Sequence, residues 1–394
     1  MRCTLVVAVH AKFASVVILL LAIGMLSPPF RAVSNAVDQS IHIRSDGLVY
    51  PPIAAIATAD NETYTLTGDV NSPITVERDN IVIDGNGHAI QGTGGYGSNG
   101  INLNGRSNIT IKNTQITEFW QGISIVASSN INVSSNLITY HYDGIVITTS
   151  FNDTIAENTI TSNYDDAIYF EGCANNSIHG NQIVGSELTN HDYGITFYNS
   201  PSNTASDNNI SRIEYGIGIQ DSSNNKIRRN EISKTDQYAL WLSQATNNTL
   251  WENNVTDNFI GVWLSSSANN AFFRNNFINN SLQVQTENAV NLWNDAYASG
   301  GNYWSDYNGK DSNSGEYQNQ TGSDGIGDTP YFINPSNQDH YPFVNAIPEY
   351  SSPIVIALLI TTTLLWAITK RKTTKETKTR NQVRIVCQSL KGKI

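Results

Sequence analysis

The chain is short of charge, of thiol and of basic residues. Charged side chains make up 14% of its 394 residues, against roughly 25% in an average globular chain, which excludes a charge-rich disordered protein. Of three cysteines, Cys3, Cys173 and Cys387, only Cys173 falls in the central body. A disulfide within that body is impossible, so packing and hydrogen bonds must hold it together. Residues 35–350 carry 11 Lys and Arg against 33 Asp and Glu, a net of −22. A surface this acidic repels phosphate backbones and excludes nucleic acid as a partner.

What the chain does have is punctuated at both ends. Residues 13–30 are uncharged behind Arg2 and Lys12, and Pro28, Pro29 and Ala32-Val33-Ser34 follow. The pattern reads as a secretory signal peptide over 1–34. Residues 350–369 are again uncharged, long enough as a helix to cross a bilayer. Lys370-Arg371-Lys372 then set the basic tail, 370–394, on the cytoplasmic side. The expected molecule is a single-pass surface protein with its acidic body outside the cell. Ten N-x-S/T sequons between Asn61 and Asn319 fit export.

Between the ends the sequence repeats. Ile101, Ile123, Ile145, Ile168, Ile195, Ile217, Leu240 and Val262 recur at intervals of 22 to 27 residues. Within a unit the apolar residues alternate at period two, as in Ile123/Ile125 and Ile131/Val133, which is a strand signal. A unit of about 22 residues, turned by Gly, Asn and Ser, describes one coil of a parallel β-helix, whose strand edges only the next coil can satisfy. The expected class is all-β. An N-terminal cap and first coils occupy 35–100, repeats 101–287, and a C-terminal cap 288–348. Asn recurs in one slot at Asn136, Asn158, Asn181, Asn208, Asn230, Asn253 and Asn275. A second row runs through Asn108, Asn130, Asn152, Asn175, Asn224, Asn247 and Asn269. Both are expected to hydrogen-bond from coil to coil and to favour left-handed turns.

Three features carry a family resemblance over about 40–345. They are the entry segments Tyr64-Thr-Leu-Thr-Gly68 and Asp79-Asn-Ile-Val-Ile-Asp-Gly-Asn-Gly87, the Gly-Ile coils, and a closing segment. The last holds Gly301-Asn-Tyr-Trp-Ser-Asp-Tyr307, Asp324-Gly-Ile-Gly-Asp-Thr-Pro-Tyr331 and Asn337-Gln-Asp-His-Tyr-Pro-Phe343. Together they resemble the NosD-like right-handed parallel β-helix proteins, related to carbohydrate-binding and sugar-hydrolase β-helices. Ile347-Pro-Glu-Tyr350 looks like the Pro-Glu-Phe type of archaeal surface-sorting tail, with Tyr in place of Phe. The family name implies copper delivery. The residues argue against it, because both methionines, Met1 and Met25, lie in the signal peptide and Cys173 is the body's one thiol.

The loops before each Gly-Ile anchor stack along one edge and supply the candidate site. Asp143, Asp165, Asp166, His191, Asp192 and Tyr193 belong to them, while Tyr169, Trp241 and Trp263 should point outward from neighbouring coils. Aromatic faces beside carboxylates suit sugar rings, so the leading expectation is binding of a polysaccharide or cell-envelope glycan. Paired carboxylates in reach of one another would instead make a hydrolase, epimerase or lyase on the same scaffold. A structural stalk would need no site. In the closing segment, Asp306, Asp311, Asn313, Asp324 and Asp328 are hard oxygen donors in a Gly-rich stretch, the composition of a structural calcium site.

Overall fold

The computed structural model describes residues 40–185 and 192–348. Both the signal peptide and the membrane helix expected at the ends lie outside them, as do most of the sorting tail and His191. No helix among the described residues is long and apolar enough to cross a membrane.

Residues 40–348 wind into a parallel β-helix of about ten turns, whose coils contribute one strand each to three sheets of 12, 12 and 10 strands. In the first sheet Gln121–Val126 pairs with Asp143–Thr148, which pairs with Asp166–Glu171, then Tyr193–Tyr198, Tyr215–Gln220, Tyr238–Ser243 and Ile260–Ser265. The register follows the repeat residue for residue: Ile123 faces Ile145, Ile145 faces Ile168, and Leu240 faces Val262. Inward side chains such as Ile123, Ile125, Phe170, Phe197, Leu242 and Leu264 are fully buried. Each isoleucine so covered contributes roughly 1.5–3 kcal/mol of hydrophobic stabilisation.

The glycine of the Gly-Ile anchor is dictated by close approach of the next coil. A Cβ on Gly122 would stand 2.6 Å from the Gly144 carbonyl oxygen, and one on Gly144 would stand 2.5 Å from that of Ala167.

The Asn136 to Asn275 row forms as expected. Each side-chain oxygen accepts the amide of the preceding coil's asparagine while each Nδ2 donates onward, as from Asn158 to Asn181 at 3.0 Å and from Asn253 to Asn275 at 2.9 Å. The second row is displaced by one residue. Asn130, Asn152, Asn224 and Asn247 are exposed left-handed residues with φ near 55–60°. From Asn152 on, the buried ladder runs one position later instead, through Asp153, Asn176, Asn203, Asn225, Asn248, Asn270 and Asn291. At a turn the left-handed residue must face solvent, which leaves the next side chain pointing inward.

Both ends are closed by antiparallel pairs. Ile41–Ile43 pairs with Val49–Tyr50 at the start. At the other end Trp293 and Trp304 cover the last coil, and Asp339 accepts hydrogen bonds from the Asn302 amide and Trp304 Nε1 at 2.7 and 2.9 Å.

Candidate functional site

The outward column of the first sheet reads Ser124, Val146, Tyr169, Thr196, Gly218, Trp241, Trp263, each register partner of the next. Both tryptophans point outward as expected but are half-buried rather than bare. Trp241 lies down over Gly218, where a Cβ would come within 2.8 Å of its ring. It packs 6.3 Å from Trp263 and 6.2 Å from Tyr215.

Beside that column the edge is built of rings. Trp120 stacks on Tyr142 at 3.9 Å and 5°, Tyr193 on Tyr215 at 4.5 Å and 11°, and Tyr238 on Trp263 at 5.3 Å and 9°. Rings stacked so closely cover one another's faces along the coil axis.

The series breaks at one place, and there the acids sit. In the strand-entry column Gln121 is followed by Asp143, Asp166, Tyr193, Tyr215 and Tyr238. One residue earlier, the Asp143 amide bonds the Trp120 carbonyl and the Asp165 amide bonds that of Tyr142, so Asp165 follows those two rings. Carboxylate oxygens of Asp143, Asp165 and Asp166 lie within 4.8 Å of one another. Burial, with the charge of Asp165 adding, pushes Asp143 up to about 7, against donation from the Asp166 amide and Gln121. Deeper burial pushes Asp166 well above the ordinary carboxylate range, although the Thr196 hydroxyl donates to it at 2.5 Å. Tyr142 bonds Asp165, and its hydroxyl is pushed up to about 12 by burial and by that carboxylate, as Tyr169 is by burial and Glu171. Trp120, Tyr142, Tyr215 and Tyr238, from the same edge loops, and Thr196, from the outward column, complete this surface. Their period of 22 or 23 residues was the available signal.

Other expected residues are elsewhere. Asp192 is buried, and its Oδ1 accepts the Glu214 amide at 2.8 Å. Its inward aim removes it from any outward surface. His141, an edge-loop residue in sequence, is a buried ladder member: its Nδ1 accepts the Phe119 amide at 3.1 Å while Nε2 donates to the Ile116 carbonyl at 3.0 Å.

The closing-segment acids are not gathered into a cluster. Asp328 accepts from the Ser312 and Asn313 amides, and Asp311 from those of Asp324 and Gly325. Asp324 takes the Tyr297 hydroxyl and the Ile326 amide, and Asp306 takes the Tyr331 hydroxyl. Their chemistry is that of turn acceptors. Among the described residues the one group of three or more potential metal ligands is Asp143, Asp165 and Asp166.

Two family models match the chain: one described as a right handed beta helix region over residues 71–210, and one described as periplasmic copper-binding protein (NosD) over 181–309. No curated protein is significantly similar to it. Among solved structures, a double mutant of the periplasmic alginate epimerase AlgG aligns with a TM-score of 0.45 at 15% identity, covering 66% of this chain and 67% of that one. The DFA-IIIase of Arthrobacter chlorophenolicus A6 without its lid aligns with a TM-score of 0.41 at 14% identity, covering 63% of this chain and 64% of that one. These likenesses are of fold alone. The chain is a right-handed parallel β-helix protein, NosD-like in its repeats.

Copper does not fit the donors present. Cu(I) handling favours thiolate, thioether and imidazole. The Cys173 thiol is buried and faces the Ile147 and Glu171 carbonyls. Both His141 nitrogens are used by backbone, and His42 and His88 face Glu77 and Asp69. Among the described residues the one clustered set of potential ligands is all carboxylate.

Proposed function

We propose that the protein is carbohydrate-active, holding a neutral glycan along the outward face of its first sheet with Asp143 and Asp165 as reacting groups. The observation that carries this reading is the gathering of Asp143, Asp165 and Asp166 where the aromatic columns break. The charge of Asp165 adds to the burial that raises Asp143 and Asp166. Asp143, at about 7, is an acid able to protonate a leaving oxygen near neutrality. Asp166, held by the Thr196 hydroxyl and raised by burial, positions the pair. Carboxyls about 5 Å apart suit the double displacement of retaining glycosidases, whereas inverting enzymes need about 6.5–9.5 Å. The −22 body argues for neutral sugars on this face.

The test is turnover by the full-length chain, in mild detergent, against a panel of neutral polysaccharides. New reducing ends are expected, with retained anomeric configuration by NMR. Asp143→Asn and Asp165→Asn should each lower kcat by at least about 100-fold. Activity should fall as pH rises through about 7, where Asp143 loses its proton. Unsaturated products would indicate a lyase instead.

Non-catalytic glycan binding at a cell surface is the second reading, favoured by the half-exposed Trp241–Trp263 pair. Retention on a glycan column without product, lost in the Trp241→Ala/Trp263→Ala variant at unchanged Tm, would select it. Loss of stability in that variant would show the rings to be packing.

A further inference from the structure

We propose a second binding surface, on the outward face of the second sheet, for an acidic glycan whose sugars carry carboxylates. Two outward columns run along that face. Through several coils they hold small or polar side chains and one histidine: Asn132, Thr154, Ser177 and Thr204 in one, Ser134, Ala156, His179 and Ser206 in the other. At the next coil both become cationic, as Lys226 and Arg228. The two coils after that continue as Thr249 and Ala271 beside Trp251 and Phe273.

Chemistry at this step is unlike that of the rest of the body. Six of its 11 basic residues, Arg212, Lys226, Arg228, Arg229, Lys234 and Arg274, fall between positions 212 and 274. Two are neutralised in the neighbouring turn column, where Arg229 grips Asp207 at 2.7 and 2.9 Å and Arg274 approaches Glu252 at 3.7 Å. Arg228 also lies in the field of Asp207 but makes no ion pair with it. Its guanidinium lies 5.8 Å from the Trp251 ring centroid, and its Nε is buried without a hydrogen-bond partner. Lys226 is exposed. Trp251 and Phe273 lie 6.3 Å apart with planes inclined by 17°.

The strip is thus a pair of cations about 7 Å apart across the sheet, followed about 5 Å further along the axis by aromatic rings. A uronic acid fits both parts, its carboxylate at Lys226 and Arg228 and its C–H surface against Trp251. The acid cluster on the first sheet would repel such a chain, so the two faces select glycans of different charge. An anionic bilayer fits less well, because Trp251 and Phe273 lie half-buried in the sheet face rather than projecting from it.

Affinity electrophoresis of the full-length chain in mild detergent tests this, with polygalacturonate and its carboxyl-reduced form in the gel. Retardation is expected with the first alone, weakening as salt rises. The Lys226→Gln/Arg228→Gln variant should bind about tenfold or more weakly, and Trp251→Phe should bind at an intermediate level. Lys112→Gln, a cation in the same column paired with Asp84, should bind as the unaltered chain does, and circular dichroism checks that each variant is folded. Equal retardation by both polymers, or none, overturns the proposal, as does an unchanged Lys226→Gln/Arg228→Gln variant. Capture by vesicles of anionic lipid without retardation by polygalacturonate assigns the strip to a membrane and overturns it too. Because cleavage of neutral glycans is not read here, a chain that cleaves nothing but is retarded leaves this surface standing.

Discussion

At the residue scale, several side chains are best understood as substitutes within a ladder. Asp153 stands where other coils have asparagine: its Oδ1 accepts the Ile131 amide at 2.8 Å, but its buried Oδ2 has no partner. Burial pushes this carboxyl up to about 7, and a protonated Oδ2 would supply the donor that an asparagine Nδ2 gives. Asp153→Asn should therefore stabilise the fold by about 1–3 kcal/mol at pH 8 and by much less at pH 5, which denaturant titration at the two pH values would show. Cys173 plays serine. It lies between Ser150 and Ser200 in a column of buried hydroxyls, accepting the Ser150 amide while its own amide bonds Ser200 Oγ at 3.0 Å. Cys173→Ser should cost less than about 1 kcal/mol, whereas Cys173→Val should cost about 1–3 by orphaning that amide. Cys173 should also resist thiol reagents in the native protein, since burial raises its thiol to about 11.

At the scale of one element, the asparagine ladder explains why coils of so little charge stay in register. Asn208 receives the Asn181 amide and Nδ2 at 3.0 and 2.9 Å, donates to the Ile178 carbonyl, and passes another bond to Asn230. Asn208→Ala should cost roughly 2–4 kcal/mol, since it strands several buried groups at once. Asn224, a left-handed exposed residue with φ of 60°, should tolerate glycine with little change. Thermal melts of the two variants distinguish a buried rung from a turn residue. If both melted alike, the ladder would not be what aligns the coils.

For the whole molecule, pH acts through the buried acids together. Asp143, Asp153 and Asp339 each have a folded value near 7 against about 4 when unfolded. Between those values these acids bind more protons folded than unfolded. They outnumber buried His141, which is pushed down to about 4 and acts oppositely. Stability therefore falls as pH rises from about 4 through 7 and then levels. Self-repulsion in a −22 body acts in the same direction. Tm should be higher at pH 5 than at pH 8, and a flat or rising profile would contradict the burial of these groups. The ends matter equally, because each coil is satisfied only by its neighbours. Asp339→Ala strands the Asn302 and Tyr341 amides and Trp304 Nε1. Hydrogen exchange should then show protection lost first over 270–305, with 121–171 unchanged.

The sequence by itself determined the coil. A 22-residue period, alternation at period two and a glycine or alanine before each anchor leave one architecture, because every strand edge must meet the next coil at the same register. It also determined that Asp143, Asp165 and Asp166 sit on successive coils, for the stack converts spacing along the chain into adjacency. Direction was decided only by the tertiary structure. Whether His141 or the residue after Asn224 faces in or out depends on which turn residue is left-handed, and a shift of one position reverses the face. Burial was decided there too. Trp241 lies over a glycine one coil away, and packing between neighbouring coils is what raises Asp143 and Asp166 above the ordinary carboxylate range.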